Sequence, residues 1–238
     1  MRQVNRRHFV RAGAGVVLGG GMGAACSSTP EAAAQKLWVL DRLENIGGVT
    51  THVEGEPVLI GSPFGRAMKF DGVDDALFID EHPLAGASTF TFEVVFRPDG
   101  GAFEQRWFHL QQLVPDAGAA PGAAPVSRIM FEIRVVEAGW YLDAFTRGPG
   151  YNQPLIFPDK LHPIGQWAHV AQSYDGRFYR SFVNGVLQGE AEINFMPQEA
   201  GHSSVGTRIN RVNYFNGAVR EARFTPAALV PQEFTSPL

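Results

Sequence analysis

Three short runs carry side chains that could do chemistry together: RWFHLQQL, FEIRVV and WYLDAF. In each, polar and apolar residues alternate, and the two-residue period of an extended chain sends alternate side chains to opposite faces. On that period Phe108 and Leu110 oppose Trp107, His109 and Gln111. Likewise Phe131, Ile133 and Val135 oppose Glu132 and Arg134, and Trp140 and Leu142 oppose Tyr141 and Asp143. If one sheet carries all three runs, His109, Gln111, Glu132, Arg134, Tyr141 and Asp143 form a polar patch, which Arg208 and Asn210 can join from SVGTRINRVNYF. Such a patch can hydrogen-bond hydroxyl groups or pair with an acidic group. The plainer alternative is a solvent-facing sheet in which Glu132, Arg134 and Asp143 pair across strands.

A second cluster lies in KFDGVDDALFID, where Asp71, Asp74 and Asp75 fall between two hydrophobic runs. Aspartates accept from nearby backbone N–H groups in a turn, and Gly72 permits positive φ, so a tight turn accounts for them. Calcium is the competing account, because it takes clustered carboxylate oxygens on loops, although three side chains leave its shell incomplete. The histidines show no metal-ligand spacing. Asp175-Gly176 and Asn184-Gly185 read as hairpin turns.

The aromatic residues are ambiguous in the same way. Trp38, Trp107, Trp140 and Trp167 could each offer a ring, but a sandwich core absorbs large rings. His169 reads as a satisfied core histidine. Tyr151, Asn152, Tyr214 and His202 lie in loop-like stretches, where they are free to touch a ligand.

These residues need elements to position them. The chain has 238 residues, 45% hydrophobic and 18% charged, with 27 glycines, 16 prolines and 18 phenylalanines, a balance that favours strands and tight turns over charged helices. Runs such as KLWVL, AMKF, TFTFEVVF, RIMFEIRVV, WAHVAQSY and NGAVREARF are separated by Gly, Pro, Asp and Asn, and twelve such runs predict an all-β, two-sheet antiparallel sandwich. One peripheral helix is expected near the end, with Thr225 as N-cap and Pro226 at the first helical position. Val114–Arg128, poor in apolar bulk, reads as a long loop joining two core strands.

The first 26 residues hold four arginines and no acid, so a total of −4 leaves −8 for the rest, which disfavours nucleic acid as a partner. Asn5-Arg6-Arg7-His8-Phe9-Val10-Arg11 before a short Gly-rich apolar run resembles a twin-arginine export signal, too short to span a bilayer. The expected destination is the periplasm or cell surface. Cys26, the one cysteine, follows Gly23-Ala24-Ala25 and precedes a Ser-Ser-Thr-Pro tether. Acylation at Cys26 would be the sole membrane attachment, with ordinary cleavage after Ala25 or Ala34 the alternative. Residues 1–34 are thus read as signal and tether, and 35–238 as one domain.

In order along the chain, AMKFDGVDDALFI, TFTFEVVFRP, QWAHVAQSYDG, FVNGVLQGE and FNGAVREARFTPAAL resemble the laminin-G-like domains of bacterial proteins. The resemblance spans most of Ala67–Leu229 and implies a concanavalin A-like jelly roll. Hydrolases of that fold carry an E-x-D-x-x-E run, and the nearest stretch here, Glu132 to Glu137, has Arg134 where the central aspartate belongs. No lyase set is complete. The resemblance therefore points to a domain that binds carbohydrate or an envelope glycan on a polar concave sheet face, without covalent chemistry or cofactor. The alternatives are a glycan-cleaving enzyme using His109 or Tyr141 with Arg134, and a protein-interaction module.

Overall fold

The computed structural model describes residues 34–116, 118–120 and 122–235. Arg6, Arg7 and Cys26, on which the export and acylation readings rest, lie outside the described residues. In chain order the strands are β1 (Lys36–Val39), β2 (Thr51–Glu54), β3 (Val58–Ser62), β4 (Gly65–Asp71), β5 (Ala76–Ile79), β6 (Phe90–Pro98), β7 (Glu104–Gln112) and β8 (Arg128–Val136). There follow β9 (Gly139–Gly148), β10 (Tyr151–Ile156), β11 (Ala168–Tyr174), β12 (Phe178–Val183), β13 (Val186–Glu192), β14 (Gly201–Val205) and β15 (Asn216–Thr225).

They form two antiparallel sheets. Sheet I runs β13-β12-β11-β6-β15-β4-β3, with β1 also paired to β15, and sheet II runs β10-β9-β8-β7-β14-β5-β2. Seven of the thirteen pairings join strands that are not consecutive in sequence, as in a jelly roll. All twelve predicted runs contribute strands, although SSVGTRI does so only through its first three residues. The three additional strands, β2, β10 and β13, are the outermost strands of their sheets. Edge strands bury little, so THVE, YNQPLI and VLQGEAE lack an apolar stripe, and Pro154 is tolerated there. Tyr151 and Asn152 consequently sit in β10 rather than in a loop.

The inner faces of the sheets meet in an aromatic core. Trp107 stacks on Phe96 at 4.4 Å and 3° and lies 5.5 Å from Phe131, while Phe92 lies 5.0 Å from Phe108. This corrects the expected orientation of Trp107. The β7–β8 register shifts between Arg106 and Phe108, so one added residue lets Trp107 and its neighbour Phe108 both point inward. Trp38 and Trp140 are also fully buried.

The outer face of sheet I is covered by the segment from Pro226 to Thr235. Thr91 Oγ1 donates to Ala227 O and accepts from Leu229 N, each at 2.8 Å, and Glu93 Oε1 accepts from Thr235 N at 3.0 Å. The helix expected after Thr225 is absent: Thr225 ends β15, and Thr91 takes up the backbone groups that a first helical turn would have used. His169 is buried as expected and lies 3.1 Å from Glu93 Oε1 beneath this segment. The two hairpin turns form as predicted, with Asn184 (φ 47°) and Gly185 (φ 75°) left-handed and Asp175 Oδ1 accepting from the N–H groups of Arg177 and Phe178.

Candidate functional site

Alternation places the six nominated strand residues on the outer face of sheet II, opposite Phe131, Ile133, Trp140 and Leu142 in the core. Glu132 stands directly across from Asp143, and Arg134 across from Tyr141. Arg134 Nη2 is 2.7 Å from Asp143 Oδ2, and its Nη1 is 3.2 Å from Glu132 Oε2. Arg106 Nε reaches the same Glu132 oxygen at 3.2 Å, and Arg106 also pairs with Glu104. The cross-strand pairing weighed as the plainer alternative is therefore present, enlarged by Glu104 and Arg106.

These residues do not line an open groove, contrary to the expected polar patch. His109, Glu132 and Asp143 are 1%, 3% and 2% exposed, and Tyr141 is buried as well. Two coverings account for this. The guanidinium groups of Arg106 and Arg134 engage the carboxyl groups, and the segment after β14 folds across β7, where Ile209 N donates to His109 Nδ1 at 3.2 Å. That segment leaves the sheet at Gly206 (φ +90°), where a Cβ would come within 2.4 Å of the Phe70 ring. Further along, Arg211 adopts a left-handed φ of 60°, held by its pair with Glu54 (Nε to Oε2, 2.8 Å) and by its position 4.5 Å from the Phe78 ring centroid. Arg208 is carried by the same segment and is half-buried. Gln111 is half-buried, and its Nε2 donates to Pro125 O at 3.3 Å.

Burial sets the electrostatics. Desolvation and the neighbouring Glu132 push Asp143 up to about 7 against the pull of Arg134, and the hydrogen bond that a protonated Asp143 donates to Glu132 adds to the rise. Desolvation likewise carries His109 well below its ordinary value, helped by Arg208 and Arg128, so its ring is neutral at pH 7. With Nδ1 accepting from Ile209, the ring proton sits on Nε2.

Sequence reasoning missed two residues on this face, Arg128 and Arg147, which are paired in register across β8 and β9. The signal was available: Arg128 is two steps of the two-residue period before Glu132, and Arg147 the same distance after Asp143. Arg128 lies 5.1 Å over the Phe145 ring and donates from Nη1 to Val126 O at 3.1 Å. Desolvation, then Arg208 and Arg147, bring Arg128 down to about 10.

The aspartate cluster lies at the β4–β5 turn. Asp71 Oδ1 accepts from Val73 N at 2.8 Å and, more distantly, from Asp74 N and Asp75 N. Asp75, 5% exposed, accepts from Glu56 N at 2.7 Å and from Asp71 N at 2.9 Å, one bond to each oxygen. Oxygens from Asp71, Asp74 and Asp75 lie within 4.8 Å of one another. Backbone N–H groups bond to one oxygen of Asp71 and both of Asp75, as in a capped turn, and three carboxyl groups alone supply only part of a calcium shell of six to eight oxygens. Of the remaining candidates, Trp167 is half-buried just before β11, with Arg97 5.4 Å over its ring, and His202 is half-buried on β14 opposite Gln111.

Comparison with known proteins agrees with this architecture. Domain 4 of AbnA, an extracellular GH43 arabinanase from Geobacillus stearothermophilus solved with arabinotriose, superposes with a TM-score of 0.60 at 17% identity, over 85% of this chain and 97% of that one. The binding domain of Paraclostridial Mosquitocidal Protein 1 gives a TM-score of 0.58 at 12% identity, over 83% of this chain and 49% of that one. A botulinum neurotoxin type C structure, whose cell entry depends on two ganglioside molecules, gives 0.57 at 11%, over 84% and 49%. The chain thus spans about half the length of the two toxin chains. No curated protein sequence matches. The family model described as the concanavalin A-like lectin/glucanases superfamily, of the laminin-G type, matches residues 70–234, from the end of β4 to the segment that covers sheet I. With two antiparallel sheets in jelly-roll order and that match over most of its length, the chain belongs to the laminin-G-type family of the concanavalin A-like lectin/glucanase superfamily.

Proposed function

We propose that this protein is an exported carbohydrate-binding domain that holds an envelope or environmental glycan on the outer face of sheet II without covalent chemistry. The observation that carries the reading is the convergence on one sheet face of the half-buried Gln111, Arg128 and Arg147, beside the covered ion-pair network of Arg134 and walled by the segment bearing Arg208. Hydroxyl and acidic groups of a sugar are what such guanidinium and amide donors recognise. Superposition on an arabinanase domain solved with arabinotriose, and on a toxin that depends on gangliosides, supports a glycan as the ligand class. Fold likeness alone does not carry function, so the side chains bear the argument. The twin-arginine pattern at Arg6-Arg7 supports export, and Cys26 supports a lipid tether at the cell surface or periplasmic membrane.

A glycan array probed with the purified protein, read beside reducing-end release and ultraviolet absorbance of products, tests the reading. Binding without turnover is expected. Turnover that disappears in a folded Arg134→Ala or His109→Ala variant would replace it with a glycan-cleaving enzyme, a reading favoured by one observation, the raised Asp143 beside Glu132.

A further inference from the structure

Arg128 and Arg147 face one another across the β8–β9 ladder, where like charges are destabilising. Among the described residues, no carboxylate lies within ion-pairing distance of Arg128, Arg147 or Arg208, whereas Arg106 and Arg134 on the same face are both paired. The acids nearest Arg208, Glu132 and Glu104, are already engaged by Arg106 and Arg134. Three buried N–H groups have no acceptor among the described residues: Arg128 Nε, Arg208 Nε and His109 Nε2. His109 is 1% exposed and feels both Arg208 and Arg128. A face that carries five arginines against three acids, Glu104, Glu132 and Asp143, and leaves three donors unmet offers surplus positive charge to an anion.

From this we infer that Arg128, Arg147 and Arg208 form a cradle for the anionic substituent of an acidic glycan, a carboxylate or a sulfate ester. The inference rests on the glycan-binding reading and narrows its ligand class. Each guanidinium presents a planar fork of donors, and carboxylate and sulfate oxygens match such forks with two bonds at once. The cradle also explains a cost the fold accepts. Two opposed arginines weaken the β8–β9 pairing in the free protein, and a bound anion would offset that repulsion.

The test is calorimetric titration of the full chain with three probes: oligogalacturonate, its methyl-esterified counterpart, and a heparin-derived sulfated oligosaccharide. Binding of one or both charged probes at least tenfold tighter than the ester is expected, and the two arms distinguish carboxylate from sulfate. Affinity should fall as salt rises. Arg147→Gln and Arg208→Gln should each weaken binding about tenfold, the scale of one charged hydrogen bond. Arg147→Lys should recover part of that loss. Arg147→Gln should also hold or raise the melting temperature, because it removes a repulsion, an outcome that a merely structural arginine would not give. Equal binding of free and esterified probes, or full affinity in Arg147→Gln, would overturn the cradle while leaving glycan binding intact. No binding of any probe, with an array also blank, would overturn both.

Discussion

Arg134 Nη2 lies 2.7 Å from Asp143 Oδ2 on the neighbouring strand, and the same guanidinium holds Glu132. One cation thus bridges two buried carboxyl groups that face each other in register. Replacing it with a similar apolar shape, Arg134→Met, leaves those acids with Arg106 as their remaining partner. The expected loss is about 3–5 kcal/mol, as when one member of a buried pair is removed. Urea unfolding at pH 7 measures it, and a loss below 1 kcal/mol would show that the network carries little.

Asp143 gives the fold a pH dependence of definite sign. Its folded value near 7 stands above its ordinary 3.8, so between those limits the folded chain binds more protons than the unfolded one. Its contribution is complete below pH 4 and is lost as pH rises toward 7. Asp143→Asn is expected to flatten the fall in stability between pH 4.5 and 7.5, read from denaturant midpoints at each pH. A slope equal to wild type would count against the raised value.

Thr91 fastens the segment over sheet I with two hydrogen bonds. Thr91→Val keeps the shape and removes both, at an expected cost of about 1–3 kcal/mol, the range for two lost bonds of ordinary strength. Limited proteolysis should then cut between Pro226 and Pro231 before any strand is attacked. Resistance equal to wild type would mean that Phe234 against Phe182 suffices.

The aspartate turn is expected to behave as structure. Asp75→Ala strands the N–H groups of Glu56 and Asp71, with an expected cost of about 1–3 kcal/mol. Added calcium is expected to leave the melting temperature of wild type and Asp74→Asn alike. A rise of several degrees in wild type, lost in Asp74→Asn, would restore calcium to the site.

The two-residue period revealed which side of β8 and β9 faces the core, because that information is local to each strand. It mispredicted Trp107, because the bulge at Arg106–Phe108 comes from the fit of β7 to β8, and neither run shows it alone. Edge strands β2, β10 and β13 escaped notice because burial writes the pattern and edges are barely buried. The expected patch was placed on the right face but taken as open. Its cover arrives from residues 206–213, about a hundred positions beyond His109, and long-range packing of that kind leaves no period to read. Thr225 and Pro226 are genuine helix-start residues, overruled by a partner 134 positions upstream of Thr225 in the β6–β15 ladder.

The last strand, β15, lies inside sheet I, with β6 on one flank and β4 and β1 on the other. Until Asn216–Thr225 leaves the ribosome, β6 lacks one neighbour, and β1 and β4 have nothing between them and it. Vectorial synthesis therefore cannot complete sheet I before this strand has emerged, and until then the open flank of β6 is exposed to mispairing.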